Sequence, residues 1–171
     1  ALERILDGIK ALPGETVPIQ EADGRVLSAP LAAKRTQPPF NASAMDGYAV
    51  RAADVATPHA TALRVVGEAA AGNRFNGKLG AGEAVRIFTG APVPDGADTI
   101  LIQENASLVD DGWIEAVAAV ARGRHIRKAG LDFHEGDSIL EQGRRLGPAG
   151  IGLAAAAGHA VLTVTERPLV A

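Results

Sequence analysis

Apolar positions along the chain change period twice. Leu2, Ile5, Leu6, Ile9 and Leu12 recur at helical spacing and predict one amphipathic helix, stopped by Pro13-Gly14. Val17–Ile19 predicts a short strand, followed by a turn or helical piece around Glu21–Gly24. Apolar positions then recur through RVLSAPLAAKR as extended chain up to Pro38-Pro39. From Tyr48 the period shortens. ALRVVGEA (Ala62–Ala69), EAVRIFTG (Glu83–Gly90), DTILIQEN (Asp98–Asn105) and WIEAVAAV (Trp113–Val120) each predict a strand. The intervening AAGNRFNGKLGAGE, APVPDGA and VDDG carry turn chemistry in their Gly, Asn-Gly, Pro-Asp-Gly and Asp-Gly steps. The last part returns to mixed structure: a strand in DSILEQG, a helix over Pro148–Ala157 with Pro148 in its first turn and Gly158 as its stop, and a strand over Val161–Val164.

These elements predict a mostly β chain with a few helices, in the α+β class. The helix-bearing segments flank the strand-rich one. Residues 1–41 and 133–167 are therefore expected to share one elongated α/β domain, with residues 42–132 inserted as a barrel- or sandwich-like β domain. RPLVA closes the sequence on an apolar run after proline, so residues 168–171 read as the first strand of a further domain and the chain as part of a longer protein.

Composition narrows the chemistry. Twenty glycines and ten prolines, against four phenylalanines, one tyrosine and one tryptophan, suit short elements joined by turns better than a helical bundle. A net charge of −3 argues against a nucleic-acid partner, which needs a concentrated positive surface. No apolar run reaches membrane-spanning length, so no membrane partner is expected. The absence of cysteine removes thiolate nucleophiles and cysteine metal sites, and fits a reducing cytoplasm.

Three stretches carry candidate chemistry. In PPFNASAMDGYAV (Pro38–Val50), Asp46-Gly47 is a strong turn signal, and a hairpin turn is the plainer reading. A carboxylate on a glycine-flexed loop can also reach a metal, a phosphate-bound Mg²⁺ or a water, with Ser43 and Asn41 holding the loop. In FTGAPVPDGAD (Phe88–Asp98) a strand ends at Thr89-Gly90, where a hydroxyl and backbone N–H groups can converge on an oxyanion. A rigid loop joining two strands explains the same residues. In RHIRKAGLDFHEGD (Arg124–Asp137), Arg124, Arg127 and Lys128 can bind an anion with Asp132 orienting a base, or the stretch is a solvated connector. The histidines at 59, 125, 134 and 159 show no metal-ligand spacing.

Taken together, PPFNASAMDGYAV, GEAAAG, GAGEAVRIFTGAPVPDGADTILIQEN and HIRKAGLDFHEGD resemble the molybdopterin molybdenumtransferase family, the MoeA proteins, with the gephyrin E domain as the animal relative. The resemblance runs in order over essentially the whole chain, and SAMDGYAV and TGAPVPDGAD are long, specific motifs. It implies coiled and bifurcated β-sheets, an inserted distorted β-barrel domain and an elongated homodimer in the full-length form.

The implied activity is insertion of molybdate into adenylated molybdopterin, with Mg²⁺ present and AMP released; the enzyme that makes adenylated molybdopterin is then an expected partner. The resemblance matches Asp46 to the family's essential aspartate, taken as catalytic and metal-binding, and Thr89 to an active-site threonine. Ser43, Arg127 and Asp132 fall to substrate or anion binding. It implies that the pterin-binding domain, which completes the cleft, would follow residue 167, so this stretch alone is expected to be inactive or nearly so. The alternative reading is a non-catalytic dimerisation or scaffold module of the same family.

Overall fold

The computed structural model describes residues 7–169 and divides the chain into two compact units, Ala1–Gln37 with Asp132–Ala171, and Pro38–Leu131. The regular elements among the described residues are mostly strands, with one α-helix and three short 3-10 turns.

In the first unit, β1 (Gly14–Pro18) runs antiparallel to β12 (Val161–Thr165), from Gly14 opposite Thr165 to Pro18 opposite Val161. A short ribbon joins β2 (Leu31–Ala32) to β11 (Ser138–Leu140). Alternation along the long ladder turns Val17, Leu162 and Val164 inward, where they pack with Leu27, Leu31, Leu146 and Ala154. The helix α1 (Pro148–Ala156) has proline in its first turn, and Gly158, at φ +95°, follows its end. Arg35 caps its last carbonyls, with Nε donating to Ala156 O at 2.8 Å and Nη2 to Ala155 O at 2.9 Å.

The second unit is built on six strands in the order β7-β4-β6-β5-β9-β8. Here β4 (Gly47–Val50) lies antiparallel between β6 (Glu83–Ile87) and β7 (Thr99–Ile102). β5 (Ala62–Ala69) runs parallel to β6, and β9 (Trp113–Ala116) joins it to β8 (Ala106–Asp110). A separate ribbon pairs β3 (Ala42–Ser43) with β10 (Ile126–Arg127). β4, β6 and β7 are largely apolar because this part of the sheet is covered on both faces. Val50, Ala84, Leu101 and Ile114 fill one core, and Ala49, Val85, Ile87 and Ile100 the other. β7 and β8 are the two edges, so the sheet is an open half-barrel.

Two expectations change. The helix expected over residues 2–12 falls partly on residues 1–6, outside the described residues; from residue 7 onward the backbone is turn and irregular, and Gly8 sits at φ +84°, which a right-handed helix cannot hold. Ala106–Asp110, absent from the expected strands, forms β8, with Gly112 at φ +75° turning the chain into β9. No helix among the described residues is long and apolar enough to cross a membrane.

Candidate active site

The loop Ala44–Asp46 leaves β3 and enters β4, two strands with different partners, so Asp46-Gly47 is not a hairpin turn. Gly47 does not adopt a positive φ. Its missing side chain is explained by packing: a Cβ there would lie 2.1 Å from the Leu101 carbonyl oxygen and 2.9 Å from Ile102 Cα. The close approach of β4 to β7 places Asp46 at the mouth of the sheet, its carbonyl accepting the Gln103 N–H at 3.1 Å.

Across β4, the end of β6 delivers Thr89. The Ala91 N–H donates to Phe88 O at 3.0 Å and closes a tight turn with Gly90 at φ +83°, a value glycine accepts at no steric cost. Thr89 then gives both its donors to one carboxylate oxygen. Its backbone N–H reaches Asp46 Oδ1 at 2.8 Å and its hydroxyl reaches the same atom at 2.7 Å. Among the described residues no donor reaches Oδ2, and the pair is exposed. The Thr89 N–H, then its hydroxyl, then the positive charge of Arg86 hold the Asp46 carboxyl below its ordinary range, because each favours the ionised form.

The other expected residues are distributed differently. Ser43, expected to bind an anion, is turned inward and buried, donating to Met45 O at 2.6 Å. Its carbonyl accepts the Gly90 N–H at 2.8 Å, so it fastens the Asp46 loop to the Thr89 turn. Arg127 is the second residue of β10, opposite Ala42 in the second unit, whereas Asp132 begins the returning segment of the first. Both are exposed and neither is without a partner. Among the described residues no group of three or more His, Asp or Glu is placed to hold a metal.

Sequence reasoning passed over Arg86 and Gln103. Both sit inside strand-like stretches that read as packing, and only the register, with Tyr48 opposite Arg86 and Gly47 opposite Ile102, brings them to Asp46.

Residues 1–158 match the family described as MoeA N-terminal region (domain I and II). The chain is 38% identical over 146 residues to a molybdopterin molybdenumtransferase of Haemophilus influenzae, covering 85% of this chain and 36% of that one. It is 42% identical over 158 residues to molybdopterin molybdenumtransferase 2 of Mycobacterium tuberculosis, covering 89% and 38%. The crystal structure of the molybdopterin biosynthesis MoeA protein from Pyrococcus horikoshii OT3 superimposes with a TM-score of 0.91 at 32% identity, covering 98% of this chain and 45% of that one. The chain thus spans well under half the length of these relatives. Its fold, its two motif-bearing loops and these likenesses agree: the chain belongs to the MoeA family, through the N-terminal region that comprises domains I and II.

Proposed function

We propose that this chain carries part of the active site of a molybdenum-inserting transferase, which transfers molybdate into adenylated molybdopterin with release of AMP. The observation that supports this reading is the Asp46–Thr89 pair. Two separate motifs converge on one carboxylate, whose Oδ1 is saturated by Thr89 at 2.8 and 2.7 Å while Oδ2 is left to a ligand. Mg²⁺ fits such a donor set, because it commonly binds through one or two carboxylates and completes its shell with waters and substrate phosphates. When bound it neutralises phosphate charge and polarises the phosphoanhydride.

The chain's own residues divide the remaining work. Asp46 offers one ionised oxygen, Oδ2, to the metal or to a water that positions the molybdate. Thr89 uses its hydroxyl proton and its amide on Asp46, so in this geometry it fixes the carboxylate and leaves Oγ1 to accept only. Arg127 and Asp132 are assigned to ordering the anion or the chain around it. Preorganised charge of this kind accelerates transfer without covalent chemistry. Partner and place follow from the same reading: a second copy of the full-length protein, the enzyme that supplies adenylated molybdopterin, and the cytoplasm.

The test is molybdate-dependent cofactor formation, with this chain alone and with a separately expressed pterin-binding domain. Activity is expected in the mixture. Asp46→Asn is expected to lower it by at least about 100-fold, the scale of losing one preorganised charged contact, without unfolding the chain. Undiminished activity of that variant would remove Asp46 from the mechanism. It would favour the second reading, a scaffold or dimerisation module of the same family.

A further inference from the structure

Arg86 stands on β6 directly opposite Tyr48 of β4, and Phe88 lies two residues further along on the same face. Its guanidinium carbon is 5.1 Å from the centre of the Tyr48 ring and 4.9 Å from that of Phe88, so the cation lies against two aromatic rings. From there it donates to one acceptor on β4 and one in the turn that follows β7. Nη1 reaches Gly47 O at 3.1 Å, and Nη2 reaches Gln103 Oε1 at 3.0 Å, just past the end of β7. Neighbouring strands lie about 4.8 Å apart, so one side chain spans β6, β4 and β7 where the Asp46 loop enters the sheet.

The company this cation keeps is unusual. Among the described residues no carboxylate comes within ion-pair distance of Arg86; its hydrogen-bond acceptors are a peptide carbonyl and a side-chain amide. An arginine kept only for charge balance would be set against Asp or Glu. Here the planar fork is what the surroundings match, since two acceptors in different directions and two ring faces require a flat, multiply donating group. The residues it touches bracket the pair: Gly47 follows Asp46, Phe88 precedes Thr89, and the Gln103 N–H is bonded to Asp46 O.

We propose that Arg86 is a positioning residue for the Asp46–Thr89 pair, clamping the three strands that carry it so that the Thr89 amide and hydroxyl stay directed at Asp46 Oδ1. This assignment rests on the function proposed above for that pair, but its geometry can be read without that activity.

The experiment compares Arg86→Lys, which keeps the charge and loses the fork, with Arg86→Met, which loses both, and with Gln103→Ala, which removes one acceptor. The first readout is the Thr89 amide by NMR in the intact chain, its proton shifted downfield by the carboxylate. Both Arg86 variants are expected to lose that shift and to exchange at least tenfold faster at Thr89, with the amides of β5 and β9 unchanged. Gln103→Ala is expected to fall between. A wild-type Thr89 amide in Arg86→Lys would overturn the clamp in favour of charge alone, and one in both variants would overturn any positioning role. If Arg86→Met does not fold, Arg86→Lys decides.

The second readout is kcat against KM in the reconstituted mixture, where Arg86→Lys is expected to lower kcat about tenfold with KM for molybdate unchanged. Unaltered kcat beside a displaced Thr89 amide would also overturn the proposal. An inactive wild-type mixture would instead count against the proposed function, leaving the amide to decide the role of Arg86.

Discussion

The two units of this chain use a semi-buried arginine in opposite ways. In the first, Arg25 is nine-tenths buried and its charge is met by Glu15, while Nη2 also donates to Thr165 O at 2.7 Å, at the end of the β1–β12 ladder. In the second, Arg86 is partly buried, lies against two rings and has no carboxylate within ion-pair distance among the described residues, although Glu68 of β5 is its register partner. A buried cation with its own counter-ion closes a ladder between distant segments of the chain. A cation left without one shapes a loop and keeps its field available to whatever binds there. The comparison separates side chains that hold this fold from side chains that prepare its site, although both classes look alike in composition.

The largest expected effect would break the site side of that comparison through the backbone. Gly47→Ala puts a methyl 2.1 Å from the Leu101 carbonyl oxygen, and neither β4 nor the edge strand β7 can yield without losing ladder bonds. Overpacking of this kind costs about 3 kcal/mol, to be read as a lowered denaturation midpoint at unchanged slope. The Thr89 amide signal should move in the same variant. A stable Gly47→Ala protein with an undisturbed Thr89 would mean that the strands are less tightly fixed than the register implies.

Next in size is the fold side. Arg25→Met leaves Glu15 and the Thr165 carbonyl without their donor. Removing one partner of a fully buried pair costs 3–5 kcal/mol, but Glu15 retains 43% of its side-chain exposure and can recover water, so about 2 kcal/mol is expected. The Thr89 amide should not respond, which is the sharpest contrast with Arg86→Met. Smaller again is Arg35→Ala. It removes the cap from the last carbonyls of α1 at an exposed position, for about 1 kcal/mol in chemical denaturation.

Much of this was legible in the sequence because local chemistry and tertiary context agree. Ala62–Ala69 is a strand over the same residues that its alternation and flanking turns predict, and α1 ends where Gly158 says it must. The motif residues Asp46 and Thr89 were legible as candidates, but their meeting was not. Forty-three residues separate them, and only the β4–β6 register brings one to the other. Gly47 was misread for a general reason: a glycine that is needed for closeness and one that is needed for positive φ have the same letter. Ser43 looked like a binding hydroxyl because sequence cannot show that it points inward. β8 escaped notice because, in NASLVDDG, Leu108 and Val109 are exposed and the flanking polar residues suggest a turn.

The smallest effect concerns pH, and it distinguishes two ways of holding a carboxylate. Asp46 is held below its ordinary range chiefly by the Thr89 N–H and hydroxyl; Glu83 is held low by the Gly80 N–H and by Arg64, each at 2.9 Å. A carboxyl whose folded value is depressed contributes stability that is present above its unfolded value, about 4. That contribution is lost as pH falls through the folded value. The stability lost in Asp46→Asn and in Glu83→Gln should therefore be greatest near pH 7 and shrink below about pH 4, with both contributions small because both groups are solvated. Salt separates them. The Arg64 share at Glu83 is a through-space attraction near the surface and should weaken between about 0.05 and about 0.5 M salt, because screening shortens to a few Å over that span. Short hydrogen bonds from Thr89 should leave the Asp46 difference nearly unchanged. If the Asp46 difference collapses with salt as well, Arg86 acts on Asp46 through its charge, and the fork that binds Gly47 and Gln103 is secondary.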